Sequence, residues 1–193
     1  QLALRGLAAD LGGNTLRGDV DVALNGVPQV TANLNAGALD LTALTGGDSA
    51  SGGSGGSAAS GWSKTPIDAS GLASFNGVIA LSASSVDLGA LKLGTTRTRL
   101  TNDRARRVLG LQEVAAYGGG LSGEFVMNNR NGLSVGGKLT AREVQMNPLL
   151  ADLMDLTRFT GTGTARLSFL GVGQSVDAIM RSLSGDGSVS VGR

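Results

Sequence analysis

The sequence predicts a mainly β fold: a curved antiparallel sheet forming a groove or half-open barrel, with two short amphipathic helices near the C-terminus. Three observations carry that prediction. Apolar and polar residues alternate over much of the chain, the period of a strand with one face in a core and one in water. Asn25-Gly26 and Asn131-Gly132 interrupt the alternation where hairpin turns need positive φ. With 32 glycines and only 3% aromatics in 193 residues, small side chains must build whatever core exists.

Residues 1–44 read as strands. Leu16, Gly18, Val20, Val22 and Leu24 alternate with Thr15, Arg17, Asp19, Asp21 and Ala23. After the Asn25-Gly26 turn, Val30, Ala32 and Leu34 resume against Thr31, Asn33 and Asn35, so residues 13–36 form an antiparallel hairpin. Residues 45–61 are rich in Gly and Ser, with too little apolar surface to offset the entropy of ordering, and predict a flexible linker or loop. Gly52-Gly-Ser54-Gly-Gly56 matches a nucleophile elbow in letters only: no histidine exists to act as base, and the flanks are neither strand nor helix.

Residues 62–193 form a β-rich domain. Phe75, Gly77, Ile79, Leu81 and Ala83 face one way, and Leu121, Gly123, Phe125 and Met127 form a second hairpin with Leu133, Val135, Gly137, Leu139 and Ala141. Tyr117-Gly-Gly-Gly-Leu-Ser-Gly123 lacks the Gly-Lys-Ser/Thr ending of a phosphate loop and precedes a strand, so it reads as a tight turn or bend. Helices are predicted at about 147–157 and 175–184. Asn147 caps the first, Pro148 occupies its first position, and Leu149, Leu150, Leu153, Met154 and Leu156 make its apolar stripe. Ser175 caps the second, whose stripe is Val176, Ile179, Met180 and Leu183. Both are expected to lie on the sheet. Each leads to a glycine pair and a strand: Gly161-Thr-Gly163 before 164–169, and, 24 residues on, Gly185-Asp-Gly187 before 188–191. Such self-similarity indicates one supersecondary unit used twice.

Composition excludes several chemistries. A net charge of +1 and the lack of nearby stacking aromatics argue against nucleic acid. Without cysteine or histidine there are no disulfides and no thiolate or imidazole metal sites. Asp19 and Asp21 share a strand face, but with no further acid near in sequence they read as surface polarity. No catalytic residue, metal or cofactor is assigned, and the chain is not expected to be an enzyme. No run of 18 apolar residues occurs, and a start at Gln1 points to a fragment, so that any targeting sequence or membrane anchor would lie outside it. Arg97, Arg99, Arg104, Arg106 and Arg107 make the densest basic patch: a solvated strand and turn, or a contact for anionic lipid headgroups or an acidic partner.

The order of motifs resembles the C-terminal region of the AsmA family. The resemblance rests on 115–123 (Ala-Ala-Tyr-Gly-Gly-Gly-Leu-Ser-Gly), Asn147-Pro-Leu-Leu150, Phe159-Thr-Gly-Thr-Gly163 and Leu183-Ser-Gly-Asp-Gly187, covering about residues 70–193. Leu7-Ala-Ala-Asp-Leu-Gly-Gly13 and Leu16-Arg-Gly-Asp-Val20 look like the family's preceding β-region. Two features depart from it: no anchor helix is present, and Asn102–Arg107 is more charged than the pattern expects. The resemblance implies a periplasmic module of a Gram-negative, inner-membrane-anchored protein that shields or transports phospholipid or another envelope lipid toward the outer membrane. The expected lipid-facing residues are Phe75, Ile79, Leu81, Leu121, Phe125, Met127, Leu133, Val135, Leu139, Leu167 and Phe169. The alternative is a non-catalytic envelope assembly or scaffold factor that binds a protein partner through the sheet edge or the arginines.

Overall fold

The computed structural model describes residues 2–42, 64–89, 91–154 and 161–192. Ten strands form one sheet in chain order: β1 (Leu2–Leu11), β2 (Asn14–Ala23), β3 (Gln29–Asp40), β4 (Asn76–Asp87), β5 (Lys92–Asp103), β6 (Arg106–Ala116), β7 (Gly119–Asn128), β8 (Ser134–Gln145), β9 (Thr162–Val172) and β10 (Ser184–Val191). Helix α1 (Met146–Met154) follows β8, and α2 (Val176–Ser182) joins β9 to β10. The edges β1 and β10 do not pair, so the sheet is curved but not closed into a barrel.

Neighbouring strands are antiparallel with one exception. β3 and β4 run parallel, with Val30 opposite Gly77 and Leu34 opposite Leu81. A parallel neighbour needs a crossover, here the long connection from residue 41 to 75. That pairing joins the two β regions on either side of the Gly/Ser-rich stretch into one sheet; the stretch itself, with its nucleophile-elbow lookalike, lies outside the described residues.

Several hairpins turn on two residues in the left-handed region, whose twist matches that of the strands. Tyr117 (φ 48°) and Gly118 (φ 77°) join β6 to β7, as the glycine-rich segment predicted. Arg104 (φ 44°) and Ala105 (φ 62°) join β5 to β6 without a glycine. This turn is held from outside: the Arg104 amide donates to Asn76 Oδ1 at 2.8 Å, and Arg130 donates to the carbonyls of Arg104 (2.9 Å) and Asp103 (2.8 Å).

Strict alternation breaks where apolar residues step by three instead of two, and the register shifts at those places. The jumps are Leu4 to Leu7, Leu111 to Val114 and Ala141 to Val144. Each bulge returns the next apolar side chain to the face its predecessors used. At the first, Arg5 pairs with Asp21 and the Gly6 amide donates to Asp19 Oδ1, so both aspartates stitch the β1 bulge to β2. The hydrogen bond and charge of Asp21 raise the Arg5 pKa further.

Two clusters carry the buried core. Leu39, Ala83 and Val86 pack with Leu16, Leu81, Leu88 and Leu93 near the end of β3 and β4. Ala69, Leu72 and Leu133 pack with Ile67, Ala105, Met127 and Ile179 at the opposite end of the strands.

Helix α2 is shorter than predicted, while α1 begins at Met146 and the last part of its expected span, residues 155–157, lies outside the described residues. In α2 the Ser175 hydroxyl accepts from the Ala178 amide as expected, but Val176 and Leu183 are exposed, and Ile179 is the stripe residue that reaches a core cluster. Helix α2 packs on the sheet at the end of β9, where Gly171 and Gly173 leave room for Ile179 and Ala178. Gly185 and Gly187 fall inside β10 rather than before it. Leu24 lies past the end of β2 and is exposed, outside the apolar face predicted for it.

Candidate functional site

Residues paired across adjacent strands share a sheet face, so the register can be followed from edge to edge. One row runs Leu4, Val20, Ala32, Ile79, Leu100, Leu109, Phe125, Gly137, Phe169, Gly185. The next is Leu7, Gly18, Leu34, Leu81, Thr98, Leu111, Gly123, Leu139, Leu167, Gly187, and a third is Ala9, Leu16, Ala36, Ala83, Thr96, Val114, Leu121, Ala141, Ala165, Val189. No charged residue occupies any of these positions.

The other face carries Arg17, Asp19, Asn33, Arg99, Glu124, Lys138, Arg166 and Asp186, and it contains ladders such as Arg99, Gly110, Glu124, Lys138, Ser168, Asp186. The sheet is therefore one layer with one face uncharged over three rows and the other mixed, since beside its charged ladders it carries the row Val78, Thr101, Val108, Val126, Gly136, Leu170. Large side chains of the first two rows are half-buried or exposed, Leu167 at 48%. Phe125 and Phe169 lie with ring centroids 5.9 Å apart, over the space left by Gly137, where a Cβ would stand 3.0 Å from the Phe169 ring. A shallow depression of about 370 Å³ between β8, β9 and β10 is lined by Leu139, Leu167 and Gly187 together with Lys138, Arg166, Ser168 and Asp186, whose parity is that of the charged face. Gly123 (φ 135°) also has a backbone need: a Cβ there would fall on the Lys138 carbonyl.

A fourth row runs Leu2, Val22, Val30, Gly77, Asn102, Arg107, Met127, Val135, Gly171 and contains the two polar exceptions of the face. Both hold the crossover. Residues 64–75 come in beside α2, where Pro66 bridges to Ser175 and the Ile67 amide donates to the Gln174 carbonyl at 2.7 Å. A 3₁₀ turn (Ser70–Ala73) then places Leu72 against Leu133 and Met127. Asn102, 1% exposed, donates from Nδ2 to the carbonyls of Leu72 (3.0 Å) and Phe75 (2.6 Å). Arg107 Nη2 donates to the Gly71 carbonyl at 3.2 Å, and its guanidinium lies 5.5 Å from the Phe75 ring centroid. Asn102 Oδ1 and Arg107 Nε are buried without a hydrogen-bond partner among the described residues.

The expected lipid-facing residues thus divide. Ile79, Leu81, Leu121, Phe125, Leu139, Leu167 and Phe169 lie on the three uncharged rows, while Met127 and Val135 belong to the row beside the crossover. Leu133, at 0% exposure, is sealed beneath Leu72 and cannot contact a ligand; its place in a tight loop takes it out of the strand alternation that predicted it. Phe75 precedes β4, with its ring under Arg107.

The basic patch divides too. Arg97 and Arg99 are exposed on the polar face, Arg97 at 3.3 Å from Glu113. Arg104 and Arg106 are exposed at the β5–β6 turn, where Arg104 and Arg130 border an open depression of about 570 Å³. Arg107 is half-buried on the apolar face, contrary to the solvated patch expected of it, because its parity with Leu109 and Leu111 outweighs its charge.

Among the described residues no group of three Asp or Glu side chains gathers that could hold a metal, and no helix is long and apolar enough to cross a membrane. No protein-family model, curated protein or solved structure matches the chain.

Proposed function

We propose that this protein is a lipid-handling module of a Gram-negative envelope, shielding acyl chains of phospholipid or another envelope lipid on the apolar sheet face. The resemblance to the AsmA family supports a place in the periplasm, with an inner-membrane anchor beyond this chain, and a part in outer-membrane biogenesis. One observation carries the reading: three ten-residue rows span the sheet without a charge, and the large side chains of the first two are left half-buried or exposed. Each methylene taken from water onto such a face gains about 0.8 kcal/mol, while the absence of polar anchors lets a chain slide. The chemistry is binding and shielding, with no reacting group, metal or cofactor required.

The test is mass spectrometry of lipid co-purifying with the protein, combined with transfer of labelled phospholipid between vesicles. Bound phospholipid that disappears in Phe125→Asp or Leu139→Asp proteins of unchanged circular dichroism supports the reading. A lipid-free protein that transfers nothing would falsify it.

A second reading, a scaffold that docks an envelope protein, is favoured by β10, an edge strand exposed at all eight of its residues. Unpaired edge groups can accept an added strand. That role survives Leu139→Asp and is lost when Pro replaces Val189.

A further inference from the structure

We infer that residues 64–75 form an end stop on the apolar face and set the longest acyl chain it accepts; the inference rests on the lipid-handling reading. Three observations converge. First, the crossover sits on the face rather than beside it, with Leu72 seated among Met127, Leu133, Ala105 and Ile179, each supplied by a different strand end, loop or helix. Second, the only two polar side chains in the four rows, other than threonines, are Asn102 and Arg107, and both donate to crossover carbonyls. Third, the Leu72 and Phe75 carbonyls belong to a segment with no strand ladder of its own and are paired by Asn102 Nδ2, while the Gly71 carbonyl, which also accepts from Ser74, takes Arg107 as a further donor.

Beyond this row, toward Thr96, the face is free of polar anchors. On β5 the distance from Asn102 to Thr96 is six residues, about 20 Å at roughly 3.3 Å per residue. At the far end Val86, Val114, Ala116 and Val144 are buried, so a chain lying along the strands meets a packed boundary in both directions. The crossover lies against Asn102 of β5, Arg107 of β6 and Met127 of β7 and forms one of the two boundaries.

A bounded face has a signature in chain length. Saturated fatty acids of increasing length, titrated against a fluorescent fatty-acid probe, should bind the native protein about fourfold more tightly per added methylene until the face is filled, and level off beyond that. In Asn102→Ala/Arg107→Ala the levelling-off should move to longer chains. A native affinity that keeps rising with length, or a limit unchanged in the folded double variant, overturns the stop.

Should that variant fail to fold, a covalent lock tests the same point. The chain has no cysteine, and the bridged pair allows Pro66→Cys/Ser175→Cys, since paired antiparallel residues lie within disulfide reach. The oxidised protein should keep the affinity and length limit of its reduced form. Loss of binding on oxidation, restored by reductant, would mean that the segment lifts to admit lipid, and the stop is refuted while the lipid reading stands. No binding at any length in native, locked or unlocked protein refutes the lipid reading itself, and the stop with it.

Discussion

The row of the apolar face beneath the crossover and the rows above it are built by the same strands, yet they solve different problems. Where protein packs on the face, the incoming backbone brings carbonyls that must be paired, and Asn102 and Arg107 appear at positions whose neighbours along the strand are Leu100 and Leu109. Where no described backbone packs, the rows contain only aliphatic, aromatic, glycine and threonine residues. Buried amides and carbonyls are costly without partners, so polar side chains on an apolar surface mark where chain covers chain. Their absence over three rows accords with a face that no described backbone covers.

Substitutions should separate the two regions. Leu133→Ala, in the sealed cluster, should lower stability by about 2–5 kcal/mol in urea unfolding, the range for a buried leucine that leaves a cavity. Asn102→Ala strands the Leu72 and Phe75 carbonyls and should cost about 1–3 kcal/mol. Leu167→Asp, on the open rows, should change stability by about 1 kcal/mol or less while removing bound lipid. A loss as large as that of Leu133→Ala would show that the open rows are covered in solution, and the contrast between the regions would collapse. On the polar face, Arg97→Ala breaks an exposed pair with Glu113 and should shift stability by no more than about 0.5 kcal/mol, with lipid binding unchanged.

Much of this arrangement was legible in the chain, and its gaps have physical causes. The β2–β3 and β7–β8 hairpins follow from alternation around Asn-Gly turns, because local pattern and turn chemistry agree there. The β5–β6 turn carries Arg104-Ala105, residues that announce no left-handed conformation; Asn76 and Arg130, remote in sequence, hold it. The parallel β3–β4 pairing depends on a partner beyond the Gly/Ser-rich stretch, so no local spacing encodes it. Leu111 to Val114 and Ala141 to Val144 look like lapses in alternation until a bulge is allowed, although the three-residue step was the signal. Of the candidate site, the apolar alternation was readable, but the crossover was not. Arg107 was grouped with its charged neighbours when its strand parity placed it with Leu109, and Asn102 shares parity with Leu100.

The smallest expected effect sharpens the contrast from the crossover side. Asp68 Oδ1 accepts from the Ser70 amide at 3.0 Å at the start of the 3₁₀ turn, and its hydrogen bonds to Ser70, side chain first and backbone second, hold its pKa below the ordinary 3.8. A carboxyl lowered on folding contributes stability above its unfolded value and loses it as pH falls through the folded one. The crossover should therefore loosen below about pH 4, ahead of the open rows, whose apolar residues do not titrate. Hydrogen exchange at the Ile67 and Leu72 amides should accelerate relative to its intrinsic rate as pH falls through that window, while amides of β7 and β8 keep their protection. In Asp68→Asn the acceleration should vanish. If it persists, or if β7 and β8 lose protection over the same window, the acid response belongs to the whole sheet and not to the stop.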